Sequence, residues 1–327
     1  MTISVTLPLA AQPVRPVRRA RPAQLASALG VATVVAAAAF LAVELRHSDL
    51  GGTLREVRLG QVAIAVGWIG LSLLAASYNL LGFTPLKLRL FPTVLAQLAV
   101  SGIRVVAPSA VSTPAIATRY LVRSGASTPD ALATVGVAQS AQMLVTTVLV
   151  GLLGLASGAG TLGTAVTPTR ILLGCVVAIT AIGSVRVAAQ FSGRVRRVLD
   201  QSRRSLSALA AHARRRPGMV GIGIIASAAL TVSHILAFAF CVSAAGGHLP
   251  LLSLTTIYLA AATAGSLIPT PGGVGAVEAA LIAGLTAGGL TLPVATAAAL
   301  LSRIVSVWLL AAPGWFALVS LRRRAML

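Results

Sequence analysis

Carboxylates are nearly absent from this sequence: 6 Asp and Glu stand against 26 Lys and Arg in 327 residues. With so few acids there is no His/Cys/carboxylate cluster at metal-ligand spacing, no Walker loop and no defensible nucleophile–base pair. No catalytic residue, metal ion or cofactor is therefore expected. Cysteine is almost as scarce: Cys175 and Cys241 both fall in apolar runs and read as small packing residues, not as a disulfide or a metal site. Charged residues of either sign make up only 10%, against about a quarter in a soluble domain. What fills the chain instead is apolar. It is 57% hydrophobic with a mean hydropathy of +0.92, and several runs reach the roughly 20 residues that span about 30 Å of hydrocarbon. A soluble globular class is excluded, and a polytopic membrane protein is the reading that remains.

A net charge of +20 could point to nucleic acid, but its distribution argues otherwise. The basic residues sit in short clusters between apolar runs, as topogenic arginines do in cytoplasmic loops. Lys87 is the sole lysine. Arginine and alanine of this abundance point to a GC-rich bacterial genome, hence to a bacterial plasma membrane. Residues 1–23 are polar, Pro-rich and basic, and the apolar run after them is too long for a cleavable signal peptide. They read as a disordered cytoplasmic tail.

Six runs are expected to be full spans, at about 24–45, 61–83, 131–157, 171–190, 218–245 and 293–318. Two further apolar stretches, 92–125 and 251–290, are interrupted, the first at Pro108 and Pro114, the second at Pro269, Pro271, Gly272, Gly273 and Gly275. Their halves are too short to cross alone and read as re-entrant helical hairpins. With both termini inside, every basic residue lies on the cytoplasmic side except Arg46, Arg55, Arg58 and Arg170, with Arg303 inside a span. The expected fold is thus all-α, with two halves of the same order entering from opposite faces: a pseudo-symmetric inverted repeat.

The parts are a first membrane repeat at 24–157, a connecting loop and fourth span at 158–192, a basic segment at 193–217, the rest of the second repeat at 218–320 and a basic tail at 321–327. Two local echoes favour the repeat. Gly125-Ala-Ser-Thr-Pro129 and Gly289-Leu-Thr-Leu-Pro293 each place Ser or Thr as a helix cap and Pro in the first turn. The segment 193–216 has apolar residues at helical spacing opposite its arginines, and reads equally as an amphipathic surface helix or as a topogenic loop.

Among the acids only Glu278 falls inside an apolar stretch, and an ionisable group there is a functional candidate by default. Pro269-Thr-Pro-Gly-Gly-Val-Gly-Ala-Val-Glu278 cannot continue a helix. A new one should begin near Gly273 to Gly275, with N–H groups facing the membrane interior where they can meet an anion. Arg303 needs a partner, and Glu278 is the available acid. That pair reads either as a structural clamp or as a headgroup site, readings that do not exclude each other. Gln139 and Gln142 stand at the matching offset after Pro129 and could line a pathway. Arg104 and Arg119 flank the first break near the cytoplasmic surface, where snorkelling is the plainer account, and His234 reads as a hydrogen-bonded packing residue. Asp130, beside Pro129, complements a helix dipole.

The run from Pro269 to Glu278, followed by Arg303 in a later helix, resembles the signature of the flippase-like membrane domain of bacterial lysylphosphatidylglycerol synthases, over about 24–320. The resemblance implies a lipid-translocating fold with broken helices in two halves. It departs in the first half. The break there reads Pro108-Ser-Ala-Val-Ser-Thr-Pro114 where relatives often end in an acid, and Gln139 and Gln142 stand where they carry an arginine and an aspartate. The soluble aminoacyl-transferase domain of the full-length synthases is not in the sequence, so an enzyme is not expected. The expected function is a lipid flippase or lipid-binding transporter for an anionic or zwitterionic phospholipid or a related envelope lipid. A non-transporting scaffold or regulator of an envelope enzyme, and an ion-coupled small-solute transporter, are the alternatives. Membrane lipid is the expected partner and nucleic acid is not. A second copy of the chain or an envelope enzyme remains open.

Overall fold

A computed structural model describes residues 56–105, 109–156, 213–267 and 275–324, with isolated positions between 207 and 211. Every regular element among them is helical. Helix α1 runs Leu59–Phe83, α2 Leu90–Arg104, α3 Ser109–Arg123, α4 Thr128–Ala156, α5 Pro217–Ala244, α6 Leu251–Leu267, α7 Ala276–Ala287 and α8 Leu292–Arg303. A π-helical stretch, Ile304–Trp308, joins α8 to α9, Leu309–Arg323.

Length separates these helices into two kinds. The 25 residues of α1 and 28 of α5 rise about 37 and 42 Å at 1.5 Å per residue, enough to cross about 30 Å of hydrocarbon. With α4 and the continuous Leu292–Arg323 they make four helices long and apolar enough to span a membrane among the described residues. The 15 residues of α2 and of α3 and the 12 of α7 rise only about 18–22 Å, less than that thickness. The four long helices match the spans expected at 61–83, 131–157, 218–245 and 293–318. The expected spans at 24–45 and 171–190, and the basic segment apart from its last residues, lie outside the described residues, as do Cys175 and the termini.

The first hairpin differs from expectation in one respect. Pro114 lies inside α3 and does not end a helix. It forfeits a single i→i−4 bond near the open first turns, which the rest of the helix tolerates. Helix α2 ends at Arg104 and α3 begins at Ser109.

Both hairpins leave by the same device. After α3, Gly125 has φ +104° and its N–H donates to the Val122 carbonyl at 3.1 Å, while Ala126 N–H donates to Leu121 at 3.0 Å. After α7, Gly289 has φ +100°, with its N–H donating to Thr286 at 3.0 Å and Leu290 N–H to Leu285 at 3.1 Å. Each is a Schellman cap whose left-handed residue favours glycine. The next span then starts with proline in its first turn. The caps themselves differ. Ser127 Oγ accepts from the Asp130 N–H at 3.3 Å and donates to the Asp130 carboxylate, whereas Thr291 makes no side-chain cap bond. The expectation of a side-chain cap thus holds for the first helix alone; Thr291 contributes only its carbonyl, to the Ala295 N–H.

Helices approach at glycines. A Cβ on Gly82 of α1 would lie 2.5 Å from Gly223 Cα of α5, and one on Gly314 of α9 would lie 2.5 Å from Gly102 N of α2. Without a hydrophobic drive between helices in lipid, such backbone contact and interhelical hydrogen bonds hold a bundle together. Asn79 Nδ2 donates to Ser227 Oγ at 2.6 Å across α1 and α5. Thr93 Oγ1 and Tyr120 Oη share a bond of 3.0 Å across the arms of the first hairpin. One apolar cluster gathers α1, α5, α6, α7 and α8, including the free Cys241, which is buried in it. A second gathers α2, α3, the start of α4 and the end of α9. Large apolar side chains such as Met143, Ile225 and Phe316 face outward, which suits a surface covered by lipid and not by water.

Candidate functional site

The second break ends at Gly275, whose φ of +90° no helical residue could hold. Helix α7 starts directly after it, so Glu278 is its third residue. There the carboxylate turns back: Oε2 accepts the Gly275 N–H at 2.7 Å. Glycine has no side chain to return a bond, so this is the carboxylate half of a capping box. The other oxygen, Oε1, accepts from Arg303 Nε at 2.7 Å, and both side chains are only 11% exposed. The anion at the α7 N-terminus is therefore the protein's own carboxylate, favoured by the helix dipole. The expected pairing of Glu278 with Arg303 is present, and the expected helix start is displaced by one residue.

Arg303 is the last residue of α8, and the π-helical stretch begins with the next one. Such wide turns inside an α-helix recur at functional sites because the extra residue re-aims the side chains around it. Ser306, in that stretch, faces a cavity of ≈ 170 Å³. Asn79 and Ser72 of α1 line this cavity, with Gln97, Ser101 and Arg104 of α2. Thr113 of α3, Gln139 and Gln142 of α4 and His234 of α5 complete its polar lining. Among the described residues no carboxylate lines it.

The hydrogen bonds here are partly satisfied. Gln142 Nε2 donates to Thr231 Oγ1 at 2.7 Å, while its buried Oε1 has no partner. The buried Nε of Arg104 has none either. His234 Nδ1 lies 2.8 Å from the Leu230 carbonyl; a carbonyl only accepts, so Nδ1 carries the proton. Gln97 Nε2 reaches the Ala76 carbonyl at 3.2 Å and ties α2 to α1. Arg104 lies within electrostatic reach of Arg303, and Tyr258 of α6 within reach of both. The ion pair and the cavity thus share one neighbourhood.

Of the residues singled out in the sequence, Glu278, Gly275 and Arg303 come together, and Gln139 and Gln142 line the adjoining cavity. Arg119 does not join them; it is exposed on α3. Pro269, Pro271, Gly272 and Gly273 lie outside the described residues. Arg104 ends α2 and lines the cavity with a buried Nε, a placement that was not foreseen for it. His234 bonds to the backbone as expected but also lines the cavity. Asn79, Gln97 and Ser306 were not foreseen. Arg104 had a signal, its place immediately before the break; the others carry none that a single sequence reveals.

An apolar all-helical bundle with long spans, short broken helices and a buried ion pair beside a polar cavity defines an integral membrane protein. The family model described as the lysylphosphatidylglycerol synthase TM region matches residues 27–314, and the chain belongs to that family. None of the curated proteins compared with it matches.

Proposed function

We propose that this protein is a lipid flippase or lipid-binding transporter of a bacterial plasma membrane, acting on a phospholipid or related envelope lipid. The observation that carries the reading is the Glu278–Arg303 pair at the start of a half-helix, set beside a polar cavity in an otherwise apolar bundle. Apolar solutes need no such interior. A lipid headgroup crossing hydrocarbon does, because each unsatisfied polar group there costs several kcal/mol. The membership of a lipid-related membrane family agrees with this. The reading ascribes no chemical step on the lipid to these residues.

The inverted repeat belongs to the same proposal. The matching Schellman glycines, Gly125 and Gly289, each followed by a proline-started span, support two halves of one design. With both termini cytoplasmic, the two hairpins enter from opposite faces, an arrangement suited to alternating access. Purified protein in vesicles carrying a fluorescent phospholipid in both leaflets tests the function: quenching of the inner-leaflet label by an external reductant should speed up with the wild type and not with Glu278→Gln or Arg303→Ala. Folded wild-type protein that moves no lipid, with those variants still abolishing the cellular phenotype, would make it a scaffold.

A further inference from the structure

We infer that the cavity at the tip of the first hairpin is an anion site, built for a phosphate that carries a neutral, hydroxyl-bearing group, and that it discriminates against headgroups bearing an ammonium. The inference deepens the proposed function and rests on it only for the lipid as source of the phosphate; the anion site itself stands on the cavity.

Charge comes first. Arg104 is the cation of the lining, and no carboxylate among the described residues lines the cavity with it. Glu278, the acid paired with Arg303, has both oxygens engaged, one by Gly275 and one by Arg303. Arg303 adds to the positive potential that Arg104 feels. A guanidinium in a low-dielectric interior is costly until an anion meets it, and its fork of donors matches phosphate oxygens. The buried Nε of Arg104, without a hydrogen-bond partner, is a donor of that fork still available.

Neutral groups supply the rest. Gln142 Oε1 is a buried acceptor without a partner, and an acceptor in that position calls for an O–H or N–H donor. Ser101, Thr113 and Gln139 line the same space and can each donate and accept. Hydroxyls on a headgroup satisfy such a lining. An ammonium brings charge of the same sign as Arg104 and finds no carboxylate to neutralise it. A phosphatidylglycerol-like headgroup fits this chemistry, and its aminoacylated form does not.

The full chain in mild detergent, titrated by native mass spectrometry with dioleoylphosphatidylglycerol, lysylphosphatidylglycerol and sodium phosphate, tests the inference. Phosphatidylglycerol should bind the wild type at least about tenfold more tightly than the lysyl form. Arg104→Gln should weaken it by about ten- to a hundredfold, the range for hydrogen bonds to charged groups, and Arg104→Lys by less. Gln142→Leu should narrow the preference for phosphatidylglycerol over phosphatidic acid, which lacks the glycerol hydroxyls. This variant carries the test if Arg104→Gln does not fold. Sodium phosphate that displaces the lipid at millimolar concentration makes the free anion a ligand in its own right; sodium phosphate without effect assigns the site to the lipid. Both uphold an anion site. Unchanged binding in folded Arg104→Gln, an unchanged lipid preference in Gln142→Leu, or lysylphosphatidylglycerol binding as tightly as phosphatidylglycerol overturns the inference. Binding at equilibrium needs no transport, so a vesicle assay without lipid movement sinks the transporter and leaves this site standing.

Discussion

Replacing Glu278 by Ala removes both acceptors of the buried constellation at once: Arg303 Nε loses a partner at 2.7 Å and the Gly275 N–H another at 2.7 Å. With the two side chains only 11% exposed, water screens little of the charge left behind. Removing one member of a buried ion pair costs about 3–5 kcal/mol, and the orphaned N–H adds about 1 kcal/mol. At about 2 °C per kcal/mol, the low end for large chains, the melting midpoint in detergent should fall by roughly 8–12 °C. Glu278→Gln keeps one acceptor and should fall less. Arg303→Met alone leaves a buried carboxylate, still tied to Gly275, and should cost about 3 kcal/mol. The double variant Glu278→Ala with Arg303→Met removes both charges of the pair and should recover about 2 kcal/mol or more relative to the sum of the single losses. Scanning fluorimetry on the four proteins closes the cycle. Additive losses would mean that the two side chains are not coupled, and the clamp between α7 and the last span would have to be given up.

Other consequences follow from the packing. Gly314→Val should push α9 off α2, because even a Cβ there meets Gly102 N at 2.5 Å; a loss of about 2–4 kcal/mol, seen as a lower melting midpoint, is expected, while Gly67→Val, with open space around it, should be neutral. Gly275→Ala forces a Cβ onto a φ of +90° and should cost about 1–2 kcal/mol, with the Glu278 carboxylate chemically untouched. Asn79→Leu removes the 2.6 Å bond to Ser227 at a cost of about 1 kcal/mol, in line with interhelical bonds in membranes. Reporters fused near residues 165 and 248 should read external and one near 205 cytoplasmic; any other pattern contradicts the proposed orientation.

The legible part of this molecule follows from elementary limits. Span length against bilayer thickness located α1, α4, α5 and the last helix, and Pro and Gly located both breaks. The Glu278–Arg303 pair was legible for a similar reason: with one acid inside the apolar runs, the intramembrane arginine had few candidates for a partner. The part Arg104 takes in the cavity was not legible, because its neighbours there come from α1, α3, α4 and α5 and are set by tertiary packing. Pro114 was read as a break because its lost hydrogen bond was weighed without the packing that carries α3 through it. The cavity lining joins Asn79, Gln97, Gln142, His234 and Ser306 from five segments, a convergence that tertiary packing alone creates. The π-helical stretch after Arg303 likewise has no local signature, since nothing in Ile-Val-Ser-Val-Trp departs from an ordinary apolar helix.

The central claim is that a lipid headgroup enters the interior of this bundle. A phospholipid with a photoreactive group on its headgroup, irradiated with the protein in native membranes and mapped by peptide mass spectrometry, tests it most directly. Adducts are predicted on cavity-lining positions of α2 and α4, around Arg104 and Gln139 to Gln142, and should disappear when excess unlabelled lipid is added. Adducts confined to outward-facing side chains such as Met143 and Phe316, insensitive to competition, would contradict it.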